Sequence, residues 1–308
     1  MKKMKKLITL AAAAVMSIGI LGGCSSTASA DQSITILRGQ FSEIDILGQM
    51  MGILIDENTD LKVKYHDSMN TVAAGNAMEK KEVDLYVSYD GTLLTTLLGY
   101  DPSDVPAGED LFEYANTKGK EDRGLMLTSK FGFENTYALG VKQEFADANN
   151  LNTISDLKPL AKDLIFGAEH EFFDEEGTMR YNPFLKHYGV QFKEGVSLDM
   201  GLKYAAIDNG NIDVTMVYST DGLNQKSGLK ILEDDTRFFP QYYGAVMHRE
   251  GLFEEFKESA PNLKELIDSL KGKISNEEMI AMNYAVDAEG KQPADVAKAF
   301  LIEKGLTK

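Results

Sequence analysis

The chain has 308 residues but only one cysteine, Cys24, and no tryptophan. A single cysteine cannot form an intramolecular disulfide, so no disulfide framework holds this chain. Basic residues are also few, since 32 lysines and arginines stand against 48 aspartates and glutamates and leave a net charge of −16. So acidic a composition argues against nucleic acid and against anionic lipid as direct ligands.

Catalytic and metal-binding motifs are absent as well. The sequence contains no Gly-x-Ser-x-Gly elbow, no His-Glu-x-x-His, no P-loop and no Gly-x-Gly-x-x-Gly pattern. Its four histidines are scattered, and His170 lies directly between two glutamates, where three adjacent residues cannot all point at one ion. The sequence therefore predicts no metal site and no cofactor, and it favours a binding protein over an enzyme.

The start of the chain has the pattern of an export signal. Four lysines precede an apolar stretch, and small residues lead to Cys24. This pattern is typical of a signal peptide over residues 1–23, and the ending Leu-Gly-Gly-Cys resembles a bacterial lipobox, which implies a diacylglycerol on Cys24. Residues 24–30 would then be a lipidated tether that holds the protein on the outer side of the cell membrane. The alternative is an ordinary signal peptide that is cut after Ala30.

The rest of the sequence alternates strand and helix signals. Residues 34–37, 61–65 and 83–88 have strand patterns, and Ser42 opens a helical pattern between the first two. Repeated β-α-β units predict an α/β fold in which mostly parallel sheets are flanked by helices, and the chain length suits two lobes. Residues 101–120, which are rich in proline, glycine and acids, are predicted to be a surface excursion.

One strand pattern occurs twice. Residues 77–89 read AMEKKEVDLYVSY, and residues 206–218 read AIDNGNIDVTMVY. Each copy ends in a tyrosine, Tyr89 or Tyr218, five residues after the aspartate that opens the strand. Because ligands of open α/β sheets bind beyond the carboxyl ends of the strands, the repeat predicts two similar lobes that each present a tyrosine to a shared cleft.

Nine short stretches from about residue 36 to the C-terminus carry a resemblance to a known family. They are Phe41-Ser42-Glu43, Tyr89-Asp90-Gly91-Thr92 and residues 133–139, 153–157, 166–172, 218–222, 232–235, 239–242 and 272–275. In this order and spacing they resemble the substrate-binding lipoproteins of osmoprotectant ABC importers, the glycine betaine, carnitine and choline binding family. The resemblance implies a two-lobed periplasmic-binding-protein clamshell, with lobe I over residues 31–136 and 241–308 and lobe II over residues 137–240.

The resemblance also implies a cage of four tyrosine rings around the trimethylammonium head of the ligand. Position by position, the cage residues are Tyr89, Tyr137, Tyr218 and Tyr242, with Tyr243 as the rival of Tyr242. A quaternary ammonium has no N–H to donate, so the negative faces of aromatic rings and apolar contacts with its methyl groups recognise it instead.

Hydrogen-bond donors are expected at the other end of a betaine ligand. The hydroxyl of Thr92 and the free N–H groups where a helix opens at Ser42 are the candidates for binding a carboxylate. At Ile44 the chain departs from its relatives, because carboxylate-binding members often carry glutamine at this place.

Three further positions bear on ligand choice. Asp90 stands where relatives usually carry threonine, and it either caps the following helix or faces the cleft, where it would repel a carboxylate and favour choline. Asn70, with Met69 before it, lies where relatives discriminate between ligands. Gln241 stands where a second proline is usual.

Together, these features imply an extracytoplasmic lipoprotein that captures choline, glycine betaine or carnitine by hinge closure. It would deliver the ligand to a membrane permease driven by an ATPase, as a monomer that catalyses nothing itself. The alternatives are the same fold with another betaine such as ergothioneine, a sensory lipoprotein, and a secreted enzyme.

Overall fold

Two sheets of five strands each form the framework of the protein. The computed structural model describes residues 32–39, 41–174, 179–199 and 201–308, so the predicted signal peptide, tether and Cys24 lie outside the described residues. The strands are β1 (Ser33–Leu37), β2 (Lys62–His66), β3 (Leu85–Tyr89), β4 (Leu125–Thr128), β5 (Tyr137–Lys142), β6 (Ile165–Ala168), β7 (Glu194–Ser197), β8 (Val214–Tyr218), β9 (Leu229–Leu232) and β10 (Gly244–Arg249).

Twelve α-helices, some of a single turn, cover the sheets in the described ranges. They are α1 (Ser42–Asn58), α2 (Thr71–Glu79), α3 (Asp90–Thr92), α4 (Leu111–Arg123), α5 (Gln143–Asn149), α6 (Tyr181–Tyr188), α7 (Leu202–Asp208), α8 (Gly222–Lys226), α9 (Leu252–Glu255), α10 (Leu263–Asp268), α11 (Asn276–Asp287) and α12 (Pro293–Glu303). Helix α3 continues as a π-helix over Leu93–Leu97. Within the described ranges, no helix has both the length and the apolar character needed to cross a bilayer.

The two sheets share one topology. The first has the strand order β2-β1-β3-β10-β4, and the second has the order β7-β6-β8-β5-β9. In each sheet four strands run parallel to one another, and one strand runs antiparallel to both of its neighbours. That strand, β10 or β5, is the first one after the chain has crossed from the other sheet. The predicted two-lobed α/β architecture with mostly parallel sheets is therefore confirmed.

The two strands of the predicted repeat, β3 and β8, occupy the same place in the two sheets. Each is the central strand of its sheet. All five residues of β3 are buried, as are the first four of β8. A strand that is covered on both faces consists mostly of apolar and β-branched residues, so the sequence pattern could predict both β3 and β8.

Residues 101–120 contain more regular structure than the predicted surface excursion. Helix α4 begins inside this stretch, and Asp110 caps it by accepting a hydrogen bond from the Glu113 N–H at 3.2 Å. Phe112 and Ala115 are buried in the core of the first lobe. The prediction was wrong because polar residues dominate this helix, so its narrow apolar stripe gave little periodic signal.

Two chain segments cross between the sheets side by side. The Asn135 N–H donates to the carbonyl of Tyr242 at 2.8 Å, and the Thr136 hydroxyl donates to the carbonyl of Pro240 at 2.8 Å. The predicted lobe boundaries, after residues 136 and 240, fall in these crossing segments. Which residues move as one body remains a prediction.

The lobes also touch directly through α8 and α11. A β-carbon at Gly222, the first residue of α8, would lie 2.6 Å from the Cα of Tyr284 in α11, which is closer than carbon atoms approach. Only glycine permits this approach. With this contact in place, residues 31–308 form one compact unit.

A buried ion pair connects helix α7 to the residue that follows strand β6. Lys203, in α7, is 0% exposed, and its Nζ lies 2.6 Å from Glu169 Oε1. The same Nζ lies 4.9 Å from the ring centroid of Tyr218 and 5.4 Å from that of Tyr204. The ammonium group is thus held by one carboxylate and by the faces of two rings.

We predict that Lys203→Met destabilises the fold strongly. Removing one partner leaves Glu169 as an unpaired buried charge, which costs about 3–5 kcal/mol. The double variant Lys203→Met, Glu169→Gln should recover part of this loss. Urea denaturation of both variants and the parent measures the free energy of unfolding.

The matched control is Lys120→Met, because Lys120 pairs with Glu250 while more than half of each side chain is exposed. This change should cost no more than about 1 kcal/mol. If Lys203→Met and Lys120→Met have equal midpoints, the buried pair does not have the stabilising role given to it here.

Candidate functional site

A cavity of about 530 Å³ lies between the two lobes. Its walls come from the carboxyl ends of β3 and β8, the start of α1, the crossing segments and the facing helices α8 and α11. The volume is in the range of sites that bind small organic molecules. Among the described residues that line it are three carboxylates, Glu43, Asp221 and Asp287, and no lysine, arginine or histidine.

One of the predicted cage tyrosines, Tyr137, packs against two of the others. The ring centroid of Tyr137 is 5.2 Å from that of Tyr218 and 5.9 Å from that of Tyr242, which stands nearly perpendicular to it. Tyr137 opens β5 and Tyr218 closes β8, and the two residues are direct partners in the antiparallel register of these strands. Cross-strand partners on one face are held close together, so the sheet itself sets this ring pair.

The third ring, that of Tyr242, rests on a glycine. A β-carbon at Gly91 would lie 2.6–2.8 Å from three atoms of this ring. Gly91 follows β3 in the first lobe, so its missing side chain gives the ring its space. Burial raises the pKa of Tyr242 and that of Tyr137, so both phenols stay neutral at ordinary pH.

Tyr89 lines the same cavity from the first lobe. It is the last residue of β3 and is almost fully buried, and its hydroxyl donates to Glu43 Oε1 at 2.5 Å. Burial, together with the negative charge of Glu43, raises the pKa of Tyr89 well above its usual value. All four predicted cage tyrosines therefore line one cavity.

Glu43 is a site residue that the sequence analysis quoted in a motif but gave no role. It is 1% exposed, and its carboxylate accepts four hydrogen bonds. The donors are the Tyr89 hydroxyl at 2.5 Å, Asn135 Nδ2 at 3.1 Å, the Thr220 hydroxyl at 2.6 Å and Asn283 Nδ2 at 2.9 Å. Burial raises its pKa, and all four hydrogen bonds oppose that shift. A glutamate in the first turn of a helix is usually a capping residue, so the sequence gave no indication that Glu43 is a buried hydrogen-bond acceptor.

The donors predicted for a ligand carboxylate, Ser42 and Thr92, line the cavity together with Ile44. The Ser42 hydroxyl, however, already donates to the carboxylate of Asp287 in α11. The opening of α1 therefore has a carboxylate of the protein beside it.

Asp90 and Asn70 are not among the described residues that line the cavity. Asp90 is 0% exposed, and its Oδ1 accepts from the N–H groups of Gly91 at 2.8 Å and Tyr243 at 2.9 Å. Asp90 therefore binds one N–H of α3 and one N–H of the segment before β10, while Tyr89 and not Asp90 holds the N-cap position of α3. Asn70 is the N-cap of α2, where its side chain accepts from the Ala73 N–H at 2.9 Å.

Metal binding is not indicated. In the described part of the chain, no three His, Cys, Asp or Glu side chains are placed to hold an ion together. The three carboxylates of the cavity are instead bonded to protein donors, such as the Leu223 N–H and Tyr204 hydroxyl on Asp221.

Comparison with known proteins gives a consistent likeness over most of the chain. Residues 32–303 match the family described as the substrate-binding domain of ABC-type glycine betaine transport systems. The chain is 34% identical to the carnitine transport binding protein of Listeria monocytogenes, over 96% of each chain. It is 28% identical to an ergothioneine transport permease/ergothioneine binding protein of Helicobacter pylori, over 90% of this chain and 48% of that protein.

Among solved structures, one described as a glycine betaine/carnitine/choline ABC transporter is similar, with a TM-score of 0.78 and 32% identity. That likeness covers 89% of this chain and 99% of the other. It includes both lobes, and it confirms the clamshell architecture that the sequence predicted.

We predict that Asp90 makes stability depend on pH. Burial raises its pKa from 3.8 to about 7, against the opposing hydrogen bonds from Gly91 and Tyr243. Between about pH 4 and pH 7 the folded state then holds a proton that the unfolded chain releases, so stability falls as pH rises through this window. Asp90→Asn keeps the accepting Oδ1 and should remove the part of the slope that Asp90 contributes, which amounts to at most about 1.4 kcal/mol per pH unit.

The free energies of unfolding at pH 4, 6 and 8 measure this difference between variant and parent. Asp56→Asn, at an exposed position of α1, is the matched control and should follow the parent at each pH. Parallel pH profiles for Asp90→Asn and the parent would show that Asp90 is not the titrating group.

Proposed function

Because this chain belongs to the family of substrate-binding domains of ABC-type glycine betaine transport systems, we propose that it captures a quaternary ammonium solute between its two lobes for an importer. The family serves transport and is not an enzyme family. The observation that carries the proposal is the convergence of Tyr89, Tyr137, Tyr218 and Tyr242 on one interlobe cavity that has three carboxylates and, among its described lining residues, no basic side chain.

The chemistry of this wall suits a methylated ammonium ion. Its diffuse positive charge is attracted to the faces of the rings, and its methyl groups pack against the same faces without needing hydrogen bonds. A desolvated ring contributes about 2 kcal/mol, so a few rings together approach the roughly 8 kcal/mol that micromolar binding requires. Association and lobe closure oppose this gain by several kcal/mol, and burial of the methyl groups must offset them.

Closure of the two lobes around the ligand is the proposed mechanism. Residues 31–136 with 241–308 and residues 137–240 would move as two bodies about the crossing segments. Tyr137 and Tyr218 belong to the second body, Tyr89 belongs to the first, and Tyr242 lies on the crossing segment. A ligand that touches all four rings binds the closed form more tightly than the open form and shifts the equilibrium towards closure.

The proposed partner is a membrane permease driven by an ATPase, with the protein acting as a monomer outside the cytoplasm. Binding proteins of ABC importers work on that side of the membrane. The relative from Helicobacter pylori, which is described as both a permease and a binding protein, supports pairing with a permease. Whether the importer also accepts ergothioneine, as that relative's name states for it, is an outcome of the binding experiment below.

We expect Tyr137→Leu to weaken binding of a quaternary ammonium ligand strongly. Tyr137 contacts both other rings of the cluster, so its loss removes one cation–π contact and loosens two others. The loss should be about 2 kcal/mol or more, which is about thirtyfold in Kd. Tyr137→Phe keeps the ring and should stay within about threefold of the parent. Calorimetric titration with choline, glycine betaine, carnitine and ergothioneine measures these affinities.

Two further variants make the result specific. Tyr100→Leu removes a ring that does not line the cavity and should leave the affinity unchanged. Gly91→Ala removes no aromatic group but pushes the Tyr242 ring from its place, so it should weaken binding as well. If no ligand binds to the parent, or if Tyr137→Leu binds as tightly as the parent, the cage is not the site.

Membrane attachment through Cys24 is part of the proposal. A diacylglycerol on this sulfur would anchor the protein firmly, since each buried methylene contributes about 0.8 kcal/mol. We expect the parent to fractionate with membranes and Cys24→Ser to be released into the soluble extracytoplasmic fraction. Ser25→Ala is the neighbouring control and should stay with the membranes. Equal membrane retention of Cys24→Ser and the parent would mean that another feature anchors the chain.

A further inference from the structure

We propose that the cleft selects an ammonium ligand whose polar end donates hydrogen bonds, such as an ammonium alcohol, and discriminates against betaines that end in a carboxylate. This inference rests on the proposed function for the ammonium head of the ligand. It concerns three of the other polar groups of the cavity, which we call the acceptor wall: Asp221, Asp287 and Asn283.

The acceptor wall is built from two helices of opposite lobes. Asp221 is the N-cap of α8, and both Asp287 and Asn283 belong to α11. These helices touch at Gly222 and Tyr284, and both carboxylates line the cavity. Burial raises the pKa of Asp287, its bond from Ser42 opposes the shift, and the charge of Asp221 adds a smaller upward contribution.

Asn283 independently indicates that the ligand has a hydrogen-bond donor. It is 3% exposed, and its Nδ2 donates to Glu43 Oε2 and to the carbonyl of Thr220, each at 2.9 Å. These two acceptors fix the orientation of the amide. Its Oδ1 is then a buried acceptor that has no partner among the described residues. A hydroxyl or N–H of the ligand could satisfy this oxygen, whereas a carboxylate could not.

Of the two places predicted to hold a ligand carboxylate, the start of α1 is already used by the protein, while Thr92 also lines the cavity. Ser42 donates its hydroxyl to Asp287 at the start of α1, and the first turn of that helix also contains Glu43 and Asp45. Asp45 is paired with Arg38 at 2.8 Å, which leaves Asp287 and Glu43 as the two carboxylates at this helix N-terminus, and they reduce its attraction for another anion.

Two basic side chains lie near the cavity, and neither is among its described lining residues. Lys203 is paired with Glu169 behind the Tyr218 ring. The charge of Arg180 acts on Tyr137 and Tyr242, but Arg180 is not among the residues that line the cavity. A carboxylate at the acceptor wall would therefore meet like charges and acceptors, which disfavour it.

The experiment compares choline with glycine betaine, which have the same trimethylammonium head and differ at the polar end. Calorimetric titrations use the purified full-length protein at one fixed, low ionic strength, because Asp287 is solvent-exposed and salt screens its charge. We expect the parent to bind choline at least about tenfold more tightly than glycine betaine, the order of effect expected for a nearby partly screened charge. The double variant Asp221→Asn, Asp287→Asn should lose most of this preference by a gain in betaine affinity.

The single variants Asp221→Asn and Asp287→Asn, which keep one oxygen acceptor each, provide the same test if the double variant folds poorly. Asp56→Asn, which changes an exposed acid outside the cavity, is the matched control and should keep the parent's preference.

The outcomes separate this inference from the proposed function. If neither ligand binds and carnitine and ergothioneine fail as well, the proposed function is wrong. If carnitine or ergothioneine binds while choline does not, the cage is supported and this inference alone is overturned. If glycine betaine binds as tightly as choline or more tightly, the cage is supported and the acceptor wall is overturned, with Arg180 as the candidate partner of the carboxylate. If the preference is the same in all variants, selectivity does not come from Asp221 and Asp287.

Discussion

A carboxylate can be buried between two lobes only if donors surround it, and Glu43 meets this condition with donors from four parts of the chain. One is at the end of β3, one is on a crossing segment, one follows β8 and one lies in α11. None of these groups is near Glu43 in sequence. The observed arrangement of the lobes therefore stabilises the charge of Glu43, and that charge in turn favours this arrangement. If Thr220 moved away, Glu43 Oε2 would keep only Asn283 as a donor. The tyrosine cluster and the acceptor wall lie around this point.

The tyrosine cluster follows from the topology that the two sheets share. In each sheet the central strand ends at the cleft, so β3 and β8 deliver Tyr89 and Tyr218 to the same cavity. The antiparallel strand β5, which comes in from the other lobe, places Tyr137 directly opposite Tyr218. The return segment brings Tyr242 over Gly91. The tyrosine cluster is thus formed by the ends of the two central strands and by the two segments that cross between the lobes. No other loop has to be ordered to form it.

The parts of the fold that sequence predicted are those with a strong local signal. Strands β3 and β8 were identified because they are buried on both faces and end in matching residues. Strands β4 and β7 have a weaker local signal, since both lie at sheet edges and have only four residues, several of them partly or fully exposed. Helix α4 was missed for a similar reason, because its polar surface hides a short apolar face. In the site, the four tyrosines and the polar residues Ser42 and Thr92 were placed at the cavity, while Asp90 and Asn70 bind backbone N–H groups instead.

The sequence by itself determined the α/β class, the two similar lobes and the two tyrosines at strand ends, Tyr89 and Tyr218, because buried strands and their ends have a recognisable pattern in neighbouring residues. Only the tertiary structure decided which polar groups share the cavity with those rings. These groups are far apart in sequence: Glu43, Asp221, Asn283 and Asp287. Their chemistry depends on the hydrogen-bond donors and acceptors that they meet across the two lobes. A carboxylate that reads as an ordinary helix-start residue becomes a buried acceptor, and an aspartate beside a predicted cage residue turns away to bind the backbone. Hydrogen-bond partners and burial are properties of the folded arrangement, and no local pattern encodes them.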